Sequence, residues 1–367
     1  MIRLKAPARI CLFGEHQDYL NYPVIAMAIS KYIYLEASRI SDQKFIIDLP
    51  NINDKLEIQL NNKKLEYKSN RDYLRSGYNQ FLRKGAKFNK GYLIKITGDI
   101  PINAGAASSS AFVVAWLSFL NFITGEKISK KQLADIGYQA EVAEFGEAGG
   151  KMDFYTSIYG NVIYLHPSEG ISEVIEIPLK LDGFVLGDSK EKKDTVEDLR
   201  RVKILSKNAF KSLKEVMPEF KEYLTNLEDV KPFLPSLDKE HQDKIVGNII
   251  NRDLTLTAKK IILKLKKHIN HLPNSDEISN FYYQLGVLLN KHQTELKEHI
   301  KISTPKIDRM IAACIKAGAL GAKINGSGFG GTMFALFPNN QNSLKKAIEN
   351  AGGKAIPIKT SNGIEHY

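Results

Sequence analysis

The sequence predicts a protein of mixed helices and strands, organised in more than one domain. Its 367 residues are enough for two or three domains with a sizeable core. The part before residue 100 is rich in short apolar runs that are typical of strands, whereas residues 194–267 are charged and mostly helix-like. Between these parts, a loop of small residues at 100–111 leads from a strand-like run into an apolar helix-like run.

Strand-like segments follow one another through the first part of the chain. Residues 2–13 read as an extended entry, and residues 24–37 read as a buried segment that runs into an alternating strand. Short strands separated by Asn-rich turns are predicted next, and further strands later in the chain, at 45–49, 56–60, 65–67, 92–100, 161–166, 183–187 and 333–337.

Helices are predicted where apolar residues recur at helical spacing. These segments are 72–87, 112–122, 130–145 and 278–299, together with the region 194–267, which Pro218, Pro232 and Pro235 divide. Ser303 and Thr304 precede Pro305, which is the pattern of a cap followed by proline in the first turn, and predict a helix that ends near Gly318.

Composition and charge are those of an ordinary globular protein. Hydrophobic residues make up 43% and charged residues 25%, which is ordinary for a soluble globular protein. The formal net charge is +11, but lysines alternate with acidic residues, and the densest basic run, 259–267, has the spacing of a solvated amphipathic helix. We expect no nucleic-acid partner and no membrane partner, and an anionic substrate is compatible with this charge.

Cysteine content and apolar runs predict a cytoplasmic protein. Cys11 and Cys314 lie far apart without zinc-site spacing, so we expect two buried, unpaired thiols. Residues 1–20 lack the apolar core of a signal peptide, and the longest apolar stretch, 111–123, is too short to span a bilayer.

The loop at 100–111 is the first candidate site. Small residues and serines stand where a loop becomes a helix N-terminus, which exposes unpaired N–H groups and the positive end of the helix dipole. A phosphate can reach such donors when no bulky side chain intervenes. Two interpretations stay open here: a cradle for nucleotide phosphates, or a serine-capped core helix after a tight turn.

Residues 14–19, with the sequence Gly-Glu-His-Gln-Asp-Tyr, form the second candidate site. Four polar groups between apolar runs offer the donors and acceptors that hydroxyl-rich ligands need. The alternative is a polar surface turn. His16 has no second histidine at metal-ligand spacing, so we do not expect it to bind a metal.

Acidic residues further along supply candidates for proton transfer. Asp153 follows a Gly149–Gly150 break in otherwise apolar company, which suits a carboxylate that accepts a substrate proton. The alternative is an aspartate that caps a helix. A second loop that allows close approach, with four glycines in six residues, lies within 322–333.

Three ordered stretches together resemble the GHMP kinase superfamily, which includes galactokinase, homoserine, mevalonate and phosphomevalonate kinases. Residues 6–19 (APARICLFGEHQDY) are close to the galactokinase signature, which ends GEHTDY. Residues 101–111 are similar to the phosphate loop of the family, and residues 321–332 to its C-terminal glycine-rich motif. Asn103 stands where the family often has Gly, and Ala107 where galactokinases often have Ser.

The resemblance implies two cofactors, ATP and Mg²⁺. ATP phosphates would lie over the loop residues Gly105, Ala106, Ala107, Ser108, Ser109 and Ser110. Ser109 matches the serine that helps to hold Mg²⁺, and Glu141 stands about where the magnesium glutamate of the family stands, with Glu144 as the fallback.

The resemblance also implies acceptor and catalytic residues. Asp153 matches the galactokinase base, and Arg9 matches the arginine that stabilises developing charge. The residues that would contact the sugar are Glu15, His16, Asp18 and Tyr19.

The expected fold is α+β with two domains, an N-terminal α+β domain over 1–180 and a ferredoxin-like domain over 181–367, with the active site between them. The expected activity is transfer of phosphate from Mg-ATP to the anomeric hydroxyl of galactose or a related sugar, by a monomer or homodimer. A mevalonate-type kinase is the alternative, because residues 20–25 lack the galactokinase Gly pair, although mevalonate kinases usually carry apolar residues where Asp18 and Tyr19 stand. A silent ligand sensor is a third possibility, against which the intact set Arg9, Ser109, Glu141 and Asp153 argues.

Overall fold

The computed structural model describes residues 1–101, 105–167, 172–191, 195–271 and 275–367. The strands are β1 Ile2–Phe13, β2 Val24–Ile40, β3 Lys44–Leu49, β4 Asp54–Gln59, β5 Gly91–Gly98, β6 Val162–His166, β7 Glu173–Ile177, β8 Phe184–Asp188, β9 Gly321–Asn325, β10 Thr332–Leu336, β11 Lys354–Pro357 and β12 Glu365–His366. The helices are α1 Tyr73–Arg83, α2 Ser108–Thr124, α3 Lys130–Tyr138, α4 Met152–Tyr159, α5 Thr195–Val216, α6 Leu227–Val230, α7 Lys239–His271, α8 Ser275–Glu298, α9 Pro305–Lys316 and α10 Gln341–Asn350.

The larger sheet contains eight strands and is built around the long hairpin of β1 and β2. Its order is β12-β1-β2-β5-β3-β4, and β6 and β7 extend it from the other end of β2. Only the β3–β5 pair is parallel among the described strand pairs. The register of β1 against β2 shifts between Pro7 and Ala8 and again between Cys11 and Phe13, as expected at bulges, which twist a strand and redirect its side chains. These shifts lie on both sides of Arg9.

The smaller sheet has the order β11-β8-β10-β9 and is antiparallel throughout. When the four strands are numbered in chain order, their spatial order in the sheet is 4-1-3-2. Helix α9 precedes the second strand and α10 precedes the fourth, which is the ferredoxin-like arrangement. Residues of α9 and α10 such as Met310 and Ile348 share a core with this sheet. The two-domain α+β fold is confirmed, while β12 returns to the larger sheet and the boundary at residue 180 stays a prediction.

Helices α7 and α8 connect the two sheets. They pack against each other, and α8 lies along β9 and also contacts β1. Ala258, Ile262 and Leu265 of α7 are buried, whereas Lys260, Lys264 and Lys267 are exposed. The amphipathic helix predicted for this basic run is therefore confirmed.

Two local predictions need correction. No strand forms at 65–67, because the Asn79 side chain takes the hydrogen bonds that a neighbouring strand would supply: it accepts from Leu65 N at 2.8 Å and donates to Leu65 O at 2.9 Å. The helix predicted over 130–145 is an α-helix only as far as Tyr138. The next residues, Gln139–Ala143, form one wide π turn. Such turns often occur at functional sites, and this one carries Glu141.

Both cysteines are buried and unpaired, as predicted. Among the residues that the structure describes, no helix has the length and apolar character needed to cross a bilayer.

Candidate active site

A cavity of about 500 Å³ brings the three sequence motifs together. It opens among the ends of β1 and β9, the N-termini of α2 and α4, and strands of the larger sheet. Its polar walls come from the motif residues Arg9, Glu15, His16, Asp18, Tyr19, Gly105, Ala107, Ser108, Ser109, Ser110, Glu141, Asp153, Gly326 and Ser327. Residues separated by more than 300 positions in the chain thus share one site.

The N-terminus of α2 faces this cavity without a side-chain cap. The helix begins at Ser108, and its N-cap residue is Ala107, which has a left-handed backbone (φ 61°) and supplies no capping side chain. The alternative of a serine-capped core helix is therefore wrong. Uncapped N–H groups and the helix dipole favour an anion at this point. Residues 102–104, including Asn103, lie outside the described residues.

One predicted loop residue does not line the cavity. Ala106 is buried in the core of the larger domain, and its carbonyl accepts a hydrogen bond from Arg9 N at 3.3 Å. The neighbouring Gly105 carbonyl accepts from Arg9 Nη1 at 2.7 Å and from Asn325 Nδ2 at 3.0 Å. Donors from both β1 and β9 thus hold the loop by its carbonyl groups.

Ser109 and Glu141 form a pair that fits a metal ion. Ser109 Oγ donates to Glu141 Oε1 at 2.7 Å, and Glu141 Oε2 is buried without a hydrogen-bond partner among the described residues. Burial, with a smaller contribution from Asp153, raises the pKa of Glu141 to about 7. A hard cation would satisfy the partnerless oxygen and remove the cost of the buried charge.

Glu144 does not belong to this pair. Its carboxylate accepts from Arg83 Nη1 at 2.6 Å and Nη2 at 2.7 Å, and these hydrogen bonds lower the pKa of Glu144 to about 2. It lies outside the residues that line the cavity, so Glu141 is the acidic candidate for the metal. Within the described part of the chain, no cluster of three or more His, Cys, Asp and Glu residues forms a self-contained metal site.

Arg9 and Asp153 form a two-bond ion pair at the centre of the site. Arg9 Nε donates to Asp153 Oδ1 at 2.7 Å, and Nη2 donates to Oδ2 at 3.0 Å. Burial opposes the charge on Arg9, but the Asp153 carboxylate outweighs it and raises the pKa of the guanidinium. Arg9 is 6% exposed and Asp153 24%, so the carboxylate is the partner that a ligand can reach. Asp153 is the second residue of α4, and the N-cap is Lys151, so the alternative of a capping aspartate is wrong.

The Gly-Glu-His-Gln-Asp-Tyr stretch is part of the interior, and the alternative of a surface turn is wrong. His16 has a left-handed backbone (φ 62°) and is buried. Its Nε2 lies 3.1 Å from Ser327 O, and its Nδ1 lies 2.7 Å from Tyr19 Oη. Because a carbonyl can only accept, Nε2 carries the proton in this contact, and in the neutral ring Nδ1 then accepts from the tyrosine. This chain of bonds fixes both rings at the wall of the cavity.

Glu15 and Asp18 are held by groups from distant segments. Glu15 Oε2 accepts from Lys323 Nζ at 2.9 Å, and both side chains are buried. Asp18 Oδ2 accepts from Met152 N at 3.0 Å, and its Oδ1 accepts from Tyr19 N at 3.0 Å. Burial, opposed by these hydrogen bonds and supported by the Asp153 charge, raises the pKa of Asp18 to about 6.

The glycine-rich loop after β9 is joined to the first motif by two residues that the sequence analysis did not single out. Asn325 Oδ1 accepts from Cys11 N at 2.9 Å, and Lys323 Nζ also donates to Cys11 O at 2.9 Å. A buried lysine between Ala322 and Ile324 in a strand is a signal that could have pointed to an ion pair, because such a charge needs a partner.

The other end of the cavity is apolar, and no sequence motif marks it. Its walls come from separate strands and from the first turns of α2, at Ile33, Leu49, Ile52, Ile96, Ile100 and Phe112. Apolar walls beside a phosphate-binding helix end suit a flat nucleotide base.

Three stretches of the chain match known families. Residues 72–161 match the family described as GHMP kinases N terminal domain, residues 278–354 match GHMP kinases C terminal, and residues 2–39 match the galactokinase galactose-binding signature. The chain belongs to the GHMP kinases. It is a phosphotransferase that has an alcohol group as acceptor, in agreement with the sequence prediction.

Relatives of this GHMP kinase include mevalonate kinases and galactokinases. A mevalonate kinase from Pyrococcus furiosus is 29% identical over 97% of this chain and 95% of the relative. A galactokinase from Thermotoga maritima is 27% identical over 91% of this chain and 89% of the relative. In structure, Lactococcus lactis galactokinase complexed with galactose superposes with a TM-score of 0.82 at 20% identity, covering 99% of this chain and 94% of that one. Methanococcus jannaschii mevalonate kinase gives 0.68 at 21% identity, covering 98% of each chain.

Proposed function

We propose that this kinase transfers phosphate from ATP to the anomeric hydroxyl of a neutral monosaccharide, galactose or a related sugar. The observation that carries this proposal is the set of hydrogen-bond acceptors at the acceptor end of the cavity. Three carboxylates, those of Glu15, Asp18 and Asp153, line it. Lys323 and Arg9 neutralise the charges of Glu15 and Asp153, and carboxylate oxygens accept hydrogen bonds from the hydroxyl groups of a neutral sugar.

Asp153 is the group that receives the acceptor proton. It is the more exposed member of its ion pair with Arg9, and it projects from the first turn of α4. Arg9 fixes the direction of both carboxylate oxygens. A general base must lie within hydrogen-bond reach of the proton that it removes. Arg9 remains charged throughout and stabilises negative charge that develops on the attacking oxygen.

The N-terminus of α2 binds the phosphates of ATP. Phosphoryl transfer depends on positioning and on neutralising the phosphate oxygens more than on covalent chemistry. The uncapped N–H groups of Ser108, Ser109 and Ser110 supply donors for this, and the apolar end of the same cavity receives the base.

Ser109 and Glu141 would hold Mg²⁺ beside these phosphates. The partnerless Glu141 Oε2 and the Ser109 hydroxyl are hard oxygen donors of the kind that Mg²⁺ prefers, and Mg²⁺ usually completes its shell with substrate phosphates and water. When bound, the ion neutralises charge on the phosphate oxygens.

Mevalonate is the second candidate acceptor. Relatives with that name align over almost the whole chain, and residues 20–25 resemble theirs. The match of residues 2–39 to the galactose-binding signature favours the sugar. The carboxylate of mevalonate, unlike a sugar hydroxyl, also has no proton to donate to Glu15 or Asp153.

A coupled ADP-release assay with Mg-ATP tests the proposal. The acceptor panel is galactose, N-acetylgalactosamine, arabinose, fucose, glucuronate and mevalonate, and ³¹P NMR of the product locates the phosphate. Turnover with a neutral sugar and a phosphate on the anomeric carbon are expected. Turnover with mevalonate alone would replace the sugar by the second candidate, and tight binding of a sugar without turnover would favour a ligand sensor.

A further inference from the structure

We propose that Asp18 is a positioning residue, which caps the N-terminus of α4 from a distant segment and so sets the position of Asp153. This inference rests on the proposed role of Asp153 as the base. This role is additional to the direct contact with the sugar that the motif implies.

The first N–H group of α4 has no local cap. The helix begins at Met152, and the N-cap residue Lys151 makes no capping hydrogen bond with its side chain. Asp18 Oδ2 accepts the Met152 N–H at 3.0 Å across 134 positions of sequence. An aspartate that accepts an N-terminal N–H is the usual local cap, and its charge also favours the positive end of the helix dipole. Here the cap comes from the loop after β1.

The backbone beside the cap is shaped to admit this carboxylate. A Cβ atom at Gly150 would lie 1.9 Å from Asp18 Oδ2, 2.1 Å from Cγ and 2.3 Å from Oδ1. No side chain fits there while Asp18 keeps its place. Asp18 Oδ1 accepts from Tyr19 N, so both oxygens are oriented by backbone donors before any acceptor arrives.

The cap acts on the base through one peptide unit. Asp153 directly follows Met152, and its carboxylate meets Arg9 of β1 with two bonds of 2.7 and 3.0 Å. β1 leads into the loop that carries Asp18, so the two carboxylates tie α4 to one segment at two adjacent points. Loss of the cap frees the start of α4 to move, and a displacement of about 1 Å at a reacting group can cost about 10²-fold in rate.

The test compares four variants in two measurements. Asp18→Ala removes the cap, Asp18→Asn keeps a side-chain oxygen that can accept the Met152 N–H, and Gly150→Ala pushes the carboxylate away without changing it. Lys130→Ala is the matched control, because Lys130 Nζ also contacts α4 but at its other end, 5.2 Å from the centre of the Tyr159 ring.

The first measurement is backbone hydrogen exchange at the start of α4 in the ligand-free protein, which needs no turnover. Faster exchange of the Met152 amide is expected in Asp18→Ala and Gly150→Ala, with wild-type exchange in Asp18→Asn and in the control. Unchanged exchange in Asp18→Ala, or in Gly150→Ala if the first variant does not fold, would overturn the proposal whatever the activity of the enzyme.

The second measurement separates kcat from the KM of the acceptor. We expect kcat to fall about 10- to 100-fold in Asp18→Ala and Gly150→Ala, and Asp18→Asn to recover most of kcat. A rise of KM in Asp18→Ala and Gly150→Ala with kcat unchanged would leave Asp18 with acceptor binding alone and overturn the positioning role. Absence of turnover in the wild type with every acceptor would instead count against the proposed function.

Discussion

Lys323 Nζ donates to Glu15 Oε2 at 2.9 Å, and the two side chains are 0% and 3% exposed. The lysine stands in β9 of the smaller sheet and the glutamate in the loop after β1 of the larger sheet. Lys323 also donates to Cys11 O, and Asn325 bonds both Cys11 N and Gly105 O. The smaller sheet therefore fixes the loop after β1 and the loop before α2 relative to each other.

Removal of Lys323 should destabilise the protein more than removal of both partners. Lys323→Met leaves the buried Glu15 carboxylate uncompensated, which typically costs about 3–5 kcal/mol in the free energy of unfolding. The double variant Glu15→Gln with Lys323→Met should recover a large part of this loss, since neither charge remains. Urea unfolding of the single and double variants measures the difference. A loss below about 1 kcal/mol in Lys323→Met would contradict a tightly coupled buried pair.

Asp153→Asn should lower kcat about 10²- to 10⁴-fold, because the amide cannot accept the acceptor proton. ADP release at saturating ATP and acceptor measures kcat. A thermal melt must accompany it, because the variant leaves Arg9 without its anionic partner. A folded variant with kcat within threefold of wild type would exclude Asp153 as the base.

Glu141→Gln should stabilise the metal-free protein at pH 8. The folded-state pKa of Glu141 is raised from 4.5 to about 7, so the native state keeps a proton that the unfolded state has lost between these values. Stability therefore falls as pH rises from about 4.5 to 7, by about 3 kcal/mol in total, and is constant above. Glutamine has no proton to lose, so the stability of the variant does not fall with pH in this way. We also expect the variant to lose Mg²⁺-dependent turnover.

Glu144→Gln is a control variant in which the change in stability should have the opposite sign. Hydrogen bonds from Arg83 lower the pKa of Glu144 to about 2, so its carboxylate contributes stability above about pH 4.5, which is lost as pH falls through the folded-state value. Glu144→Gln should therefore destabilise the protein at pH 7. The Glu141 account would be wrong if both variants shifted the unfolding midpoint in the same direction at pH 8.

Gly326→Ala should impair ATP binding. A Cβ at this position would lie 2.4 Å from Gly105 O, so the phosphate loop must move, and we expect the KM for ATP to rise about tenfold. Gly125→Ala is matched in backbone conformation, with φ +71° against +79°, but its Cβ meets no atom within 4 Å. It should lower stability by about 1 kcal/mol from strain alone and leave the KM for ATP unchanged. Equal KM values for the two variants would mean that the contact with Gly105 does not matter.

The groups that lie in contiguous motifs could be predicted from the sequence. Arg9, Asp153 and the loop at 105–110 were predicted because each stands in a stretch whose order and spacing resemble a family. Strands such as β2 were predicted from alternation of apolar residues. The local alternatives failed because they treated polar residues singly, whereas the fold buries His16 and Glu15 together with partners from β9 and its loop.

The remaining features depend on contacts that no local pattern encodes. Lys323 and Glu15 are 308 positions apart, and the apolar end of the cavity combines single residues from several strands. The predicted strand at 65–67 failed because one amide side chain, Asn79, replaces a neighbouring strand. The π turn that carries Glu141 keeps helical spacing in the sequence and cannot be distinguished there from an α-helix.

In the proposed reaction, Asp153 activates a sugar hydroxyl for attack on ATP. The most direct test is the ratio of kcat/KM for galactose to kcat/KM for mevalonate at saturating Mg-ATP, measured for the wild type and for Asp153→Asn. We expect a ratio of at least about 10, since a sugar hydroxyl that donates to a carboxylate contributes about 1.5–3 kcal/mol and the carboxylate of mevalonate has no proton to donate, and we expect loss of turnover in the variant. A ratio below one in the wild type, or equal turnover of galactose in both proteins, would contradict the proposed reaction.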